Sequence, residues 1–142
     1  PAPIFEFSKL LEESYDYVQA SRFIKGGFHS GTPLSRLLAV RLLHAPILTL
    51  ASGHLWTDTT QGFRAYSRTL IENKDLNIFD PELKDYKLLF HITAKAPRLG
   101  MQCIESPTSR IYPEGSSVPT KISGFRSWAN LMNQLLSVVF SK

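Results

Sequence analysis

Apolar positions change period several times along the chain. Ile4, Phe7, Leu10 and Leu11 recur at helical spacing and predict an amphipathic helix from almost the first residue, with proline tolerated at its start. Over residues 15–23 the run shortens. Tyr17 and Val18 favour a buried strand, ending at Ser21-Arg22 before Lys25-Gly26-Gly27. Residues 28–32 read as a loop. From Pro33 the chain predicts a helix that is apolar almost all round, through Leu34, Leu37, Leu38, Val40, Leu42 and Leu43. Thr32 is its expected N-cap, and Pro46 is expected to bend or end it. A helix of this kind is buried or meets a membrane or a partner.

The second half alternates less regularly. Phe63, Ala65 and Ser67 interleave with Arg64, Tyr66 and Arg68, the period of a short strand fed by a polar loop. A short helix is expected over residues 67–74 and a polar turn over 73–80. Asp80-Pro81 should open a helix running to about Ala96, with Leu83, Tyr86, Leu89, Phe90 and Thr93 on one face and Pro97 and Gly100 ending it. Residues 101–105 are strand-like, and residues 107–121 form a loop rich in Gly, Ser and Thr. Residues 122–140 predict a final helix with Trp128, Leu131, Met132, Leu135, Leu136 and Val139 on a broad apolar face. That face suits core packing and a membrane interface equally.

Composition narrows the classes. The chain has 142 residues, 43% of them hydrophobic, which suits one domain or part of one. Sixteen Lys and Arg against 12 Asp and Glu give a formal charge of +4. That modest bias fits a nucleotide diphosphate, a lipid phosphate or a membrane surface. It fits nucleic acid less well, because no long Lys/Arg run occurs, and no nucleic-acid partner is expected. A single cysteine, Cys103, excludes an internal disulfide and a multi-cysteine zinc site. It lies in an apolar strand with no histidine nearby, the setting of a small buried residue rather than a nucleophile. His54 has no partner at metal-ligand spacing.

The densest chemistry lies at Thr57-Asp58-Thr59-Thr60-Gln61-Gly62. Asp58 and Gln61 stand at the mouth of the loop. Gly62 allows either a close ligand approach or a positive φ. A tight turn bonded to its own backbone explains the same residues. Arg22 and Lys25 beside Gly26-Gly27 suit a phosphate, or are surface charge at a strand end. Ser35-Arg36 opens the apolar helix. Arg110 and Lys121, among hydroxyls in a loop, suit closing over a diphosphate.

Several of these segments, in order, resemble family 2 glycosyltransferases of the polyprenyl-phosphate type. Residues 57–66 resemble the family's D-x-T-x-G-F-R-A-Y segment, and a Gln before the Gly occurs in related glucosyltransferases. Residues 20–27 resemble G-S-R-x-x-x-G-G, with Ala20 in place of the first Gly. Ser35-Arg36 matches a Ser-Arg at the start of the corresponding helix. Residues 110–121 resemble R-x-Y-G-x-S-K, although Pro113-Glu114 intervene and Lys121 is displaced, so that Arg110 and Tyr112 alone carry over.

The resemblance implies an α/β chain, the C-terminal half of a GT-A (nucleotide-diphospho-sugar transferase) fold, with a mixed sheet flanked by helices. Residues 1–121 would be the acceptor-side half of the catalytic domain, and residues 122–142 a C-terminal amphipathic helix. In the family, the D-x-D metal-binding turn comes just before the first helix. No D-x-D occurs here, so the chain reads as cut from something longer. Mn²⁺ or Mg²⁺ would take its ligands outside it, and the chain alone would be inactive.

The implied activity is transfer of a sugar from a nucleotide sugar to a polyprenyl phosphate or a growing cell-surface glycan, in the cytoplasm at the inner face of a membrane. Arg110 and Tyr112 would hold the donor diphosphate, while Arg22, Ser35, Arg36 and Arg64 would face the acceptor or its phosphate. Asp58 and Gln61 would be catalytic, with Asp58 either the base for a hydroxyl acceptor or only an orienting group for a phosphate acceptor. A homo-oligomer is compatible with the chain. Two rivals remain: a non-enzymatic membrane-associated module that binds lipid phosphate, and a nucleotide-sugar enzyme of another kind.

Overall fold

The computed structural model describes residues 2–112 and 124–140. A small mixed sheet lies between helices. Strand β1 (Tyr17–Ser21) is central, antiparallel to β3 (Arg64–Tyr66) and parallel to β4 (Cys103–Pro107). All five residues of β1 are buried, as the short strand run predicts. Its side chains alternate between two apolar clusters. Val18 and Ala20 join Phe7 of α1 (Ala2–Glu12). Tyr17 points to the other face, into a core with Leu48, Trp56, Leu70, Phe90, Ile92, Leu131 and Leu135.

That larger core is closed by helices. Helix α2 (Leu34–Ala39) continues through a five-residue π-helical turn (Val40–His44) into α3 (Ala45–Ser52). Pro46 therefore does not end the helix. Proline lacks an N–H and its ring presses on the carbonyl four residues back. The wider π turn sits immediately before it, and Gly53 closes the helix in the left-handed region at φ 72°. The expected cap at Thr32 is absent: Pro33 precedes α2, and no side chain caps it.

Helix α4 (Arg68–Ile71) is capped by Ser67, whose Oγ accepts from the Leu70 N–H at 3.1 Å. Helix α5 (Tyr86–Lys95) starts later than Asp80-Pro81 predicts. Asp80 Oδ1 accepts from the Glu82 N–H at 2.9 Å and folds residues 80–83 into a turn instead. Helix α6 (Gly124–Phe140) packs on α5, with Leu131, Leu135 and Val138 in the main core. Of its two readings, core packing describes this face.

Residues 28–32 are not simply a loop. Phe28–Ser30 forms β2, parallel to β5 (Ser109–Ile111), with His29 opposite Arg110. This two-stranded sheet holds the Arg110 segment beside the Gly26-Gly27 turn. The expected loop beyond Tyr112, including Lys121, lies outside the described residues.

Candidate functional site

The end of β1 delivers Arg22 inward. Its Nε donates to Asp58 Oδ2 at 2.6 Å and its Nη2 to Oδ1 at 3.0 Å, a two-pronged pair with Arg22 4% exposed and Asp58 fully buried. Burial works against the Arg22 charge, but the hydrogen bonds and charge of Asp58, with a smaller contribution from Tyr112, outweigh it and raise the guanidinium's pKa. Arg22 is thus committed to Asp58 and does not present its charge to a phosphate. Asp58 in turn is held as an ion-pair partner rather than as an open base.

The Asp58 loop is fastened from below by a residue with no motif around it. Glu105 on β4 accepts from the backbone N–H groups of Thr57 at 2.9 Å and Asp58 at 3.0 Å through Oε1. Its Oε2 accepts from the Thr57 hydroxyl at 2.7 Å. Burial raises the Glu105 carboxyl's pKa, and the three hydrogen bonds work the other way. The signal in the sequence was a lone carboxylate in a short, half-buried strand, which needs partners to be there.

Arg64 is also spent on the protein. Nε donates to the Gln61 carbonyl at 3.0 Å, Nη1 to the Leu89 carbonyl at 3.0 Å and to Thr93 Oγ1 at 3.1 Å, and Nη2 to the Thr59 carbonyl at 2.8 Å. It staples the loop to α5 and is not placed to meet an acceptor phosphate. Buried Gln19 donates to the Gln61 carbonyl at 3.1 Å and accepts from Tyr17 Oη at 2.6 Å. The Tyr17 hydroxyl lies 3.0 Å from Thr93 Oγ1, and burial pushes its pKa up. The loop's backbone is therefore fixed from three sides.

What faces outward is different. Gln61, Gly62 and Phe63 line an open cleft of about 750 Å³ with Pro3 and Ile4 of α1 and residues 107–110, Arg110 among them. Gly62 has no positive φ, and a Cβ there would meet nothing within 4 Å among the described residues. The fold does not demand a glycine at this position. By contrast, a Cβ on Gly27 would lie 2.7 Å from the Arg22 backbone carbon. Close chain packing therefore demands a glycine at Gly27, and a positive φ of 90° favours one at Gly26. Thr60 and Thr108 carry buried hydroxyls with no hydrogen-bond partner among the described residues, and Thr108 lines the cleft.

Beside the cleft, the guanidinium of Arg110 lies over the Tyr112 ring, 5.2 Å from its centroid. Arg36 Nη1 donates to the Tyr112 hydroxyl across 3.5 Å. Arg36 and Arg110 pair with no carboxylate among the described residues. Ser35 is exposed at the start of α2. The structure therefore divides the sequence candidates. Arg22, Asp58 and Arg64 form an internal frame. Gln61 and Arg110 line the cleft, Tyr112 joins Arg110 to Arg36, and Ser35 is not among the residues that line it.

Elsewhere, the His54 ring packs at a tilt of 54° against Trp56 with ring centroids 4.4 Å apart, and burial lowers its pKa. Burial pushes the Cys103 thiol up to about 12. Among the described residues, no three His, Cys, Asp or Glu side chains are grouped to hold a metal ion.

Compared with known proteins, the chain matches no family model, no curated sequence and no solved structure.

Proposed function

We propose that the chain is the acceptor-side part of a GT-A glycosyltransferase that moves a sugar from a nucleotide sugar to a lipid phosphate of the polyprenyl type. The observation that carries this reading is the shared cleft. Gln61, Gly62 and Arg110, which lie far apart in sequence, line one cavity with Pro3 and Ile4. In the family that the motifs resemble, the D-x-D turn directly precedes the residues at this rim. A glycine that the backbone does not require, at the cleft wall, supports close approach by a ligand.

In this reading an acceptor oxygen attacks the anomeric carbon, and the bond to the nucleoside diphosphate breaks with its electrons on the leaving group. Arg110 neutralises the charge that develops there. The Asp58–Arg22 pairing favours a phosphate acceptor over a hydroxyl. A phosphate oxygen is already anionic, whereas a hydroxyl needs a free base, and the motif's one carboxylate is bound to a guanidinium. Arg36, at the head of the exposed apolar helix, suits the acceptor's phosphate. The carboxylates of the site do not suit a divalent cation: Asp58 is bound to Arg22, and Glu105 to backbone N–H groups. A Mn²⁺ or Mg²⁺ ion would take its ligands from outside the described residues.

The test is transfer of labelled sugar from a panel of nucleotide sugars to a polyprenyl phosphate, using a protein that carries the D-x-D. Arg110→Ala should lose about 100-fold or more in turnover, the cost of removing a preorganised donor. Unchanged turnover with Arg110→Ala would remove that residue from the site. No product from any donor, with lipid phosphate still bound, would favour the second reading of a lipid-phosphate-binding module. That reading needs only Arg36 and Arg110, which pair with no carboxylate among the described residues.

A further inference from the structure

The helix Leu34–Ser52 is 19 residues long and has the length and apolarity to cross a membrane. It does not stand free to do so. Val40, His44, Ala45 and Leu48 are buried, and His44 sits between the rings of Phe90 and Trp128 at 5.7 and 6.1 Å. One face of the helix is therefore fixed on the protein, and the helix lies flat along it.

The opposite face carries Leu34, Leu38, Leu42 and Leu50 at multiples of four residues, 67%, 48%, 66% and 86% exposed, with exposed Pro46 completing the series. In a regular α-helix a four-residue repeat overshoots each turn by about 40°, so such a series would wind around the axis. The π turn at Val40–His44 takes more residues per turn and returns part of that overshoot. The fold thus keeps an apolar stripe in line on the surface.

Charge identifies the occupant. No Asp or Glu occurs from Tyr17 to Thr57, while Arg22, Lys25, Arg36 and Arg41 do. Arg22 is internally paired. Lys25 and Arg41 are exposed, and Arg41 lies over the Phe23 ring at 5.1 Å. A leucine stripe on a segment whose charged residues are all cations suits the headgroup boundary of an anionic bilayer.

We propose that this stripe lies in the plane of an anionic lipid surface, with its leucines in the acyl boundary and Arg41 and Lys25 among the headgroups. The inference goes beyond sugar transfer and does not depend on it. A chain without transferase activity would dock in the same way.

The experiment is cosedimentation with phosphatidylglycerol–phosphatidylcholine vesicles against pure phosphatidylcholine, over a salt series. The chain should bind the anionic vesicles, and binding should weaken with salt. Leu38→Gln/Leu42→Gln/Leu50→Gln should weaken binding about tenfold or more with little change in Tm, since all three side chains are exposed and none belongs to the buried core. Arg41→Gln should reduce the preference for anionic vesicles. Triple-variant binding equal to wild type, or no wild-type binding to anionic vesicles, would overturn the proposal. So would a wild-type dimer that the triple variant dissolves without a change in vesicle binding, which would make a second copy the occupant.

Discussion

Arg22 and Asp58, 36 residues apart, meet in the interior through bonds of 2.6 and 3.0 Å, and this pair sets the end of β1 against the motif loop. Removing one partner leaves the other charge buried without compensation. Asp58→Ala should therefore cost about 3–5 kcal/mol in urea denaturation, and Arg22→Met/Asp58→Leu should recover much of that loss. A loss below about 1 kcal/mol for Asp58→Ala would show that the pair opens readily to water and that Asp58 is free for other work.

Glu105 offers a sharper contrast between charge and hydrogen bonding. Its oxygens accept from two backbone N–H groups and one hydroxyl, but its charge is disfavoured by burial. Glu105→Ala should cost about 1–3 kcal/mol by stranding those donors. Glu105→Gln keeps the Oε1 acceptor and removes the charge, so its cost should fall within about 1 kcal/mol. Equal losses for both variants would place the contribution in the charge instead.

His44 gives the fold an acid limit. Burial pulls its pKa from 6.5 down to about 4. Between those values the unfolded chain binds the proton and the folded chain does not, so stability is full above about pH 6.5 and falls as pH drops towards 4. The loss should approach ~3 kcal/mol over that window. His44→Leu should flatten the slope of unfolding free energy against pH. Some slope will remain, because burial also lowers the pKa values of His54 and His91. An unaltered slope would mean that His44 is solvated in the native state.

Strand β1 and helix α1 were legible because their patterns are local: a short apolar run and a helical period. Strand β2 was not, because three residues of Phe-His-Ser become a strand only by pairing with β5, about eighty residues on. Asp80-Pro81 misled because Asp followed by Pro opens helices and tight turns alike. The motif residues fall in one loop, but the sequence does not record the destination of each side chain. A guanidinium that will bind backbone carbonyls, as Arg64 does, reads the same in sequence as one that will bind phosphate. Arg22 and Asp58 were each visible, and their pairing was not, since nothing local records a contact between distant segments.

The last prediction separates the two outward arginines. Tyr112 is largely buried, with the Arg110 guanidinium over its ring and Arg36 reaching its hydroxyl. Tyr112→Phe keeps the ring, and so the platform under Arg110, but removes the oxygen that steadies Arg36. The bond is long at 3.5 Å, so the effect should be modest: about a twofold to tenfold rise in KM for the acceptor phosphate, the worth of one ordinary hydrogen bond. KM for the nucleotide sugar should stay unchanged. Tyr112→Leu removes ring and hydroxyl together and should disturb both constants. Steady-state kinetics with each substrate varied in turn distinguishes the cases. If Tyr112→Phe changes the donor KM and leaves the acceptor KM alone, Arg36 serves the donor, and its assignment to the acceptor's phosphate is wrong.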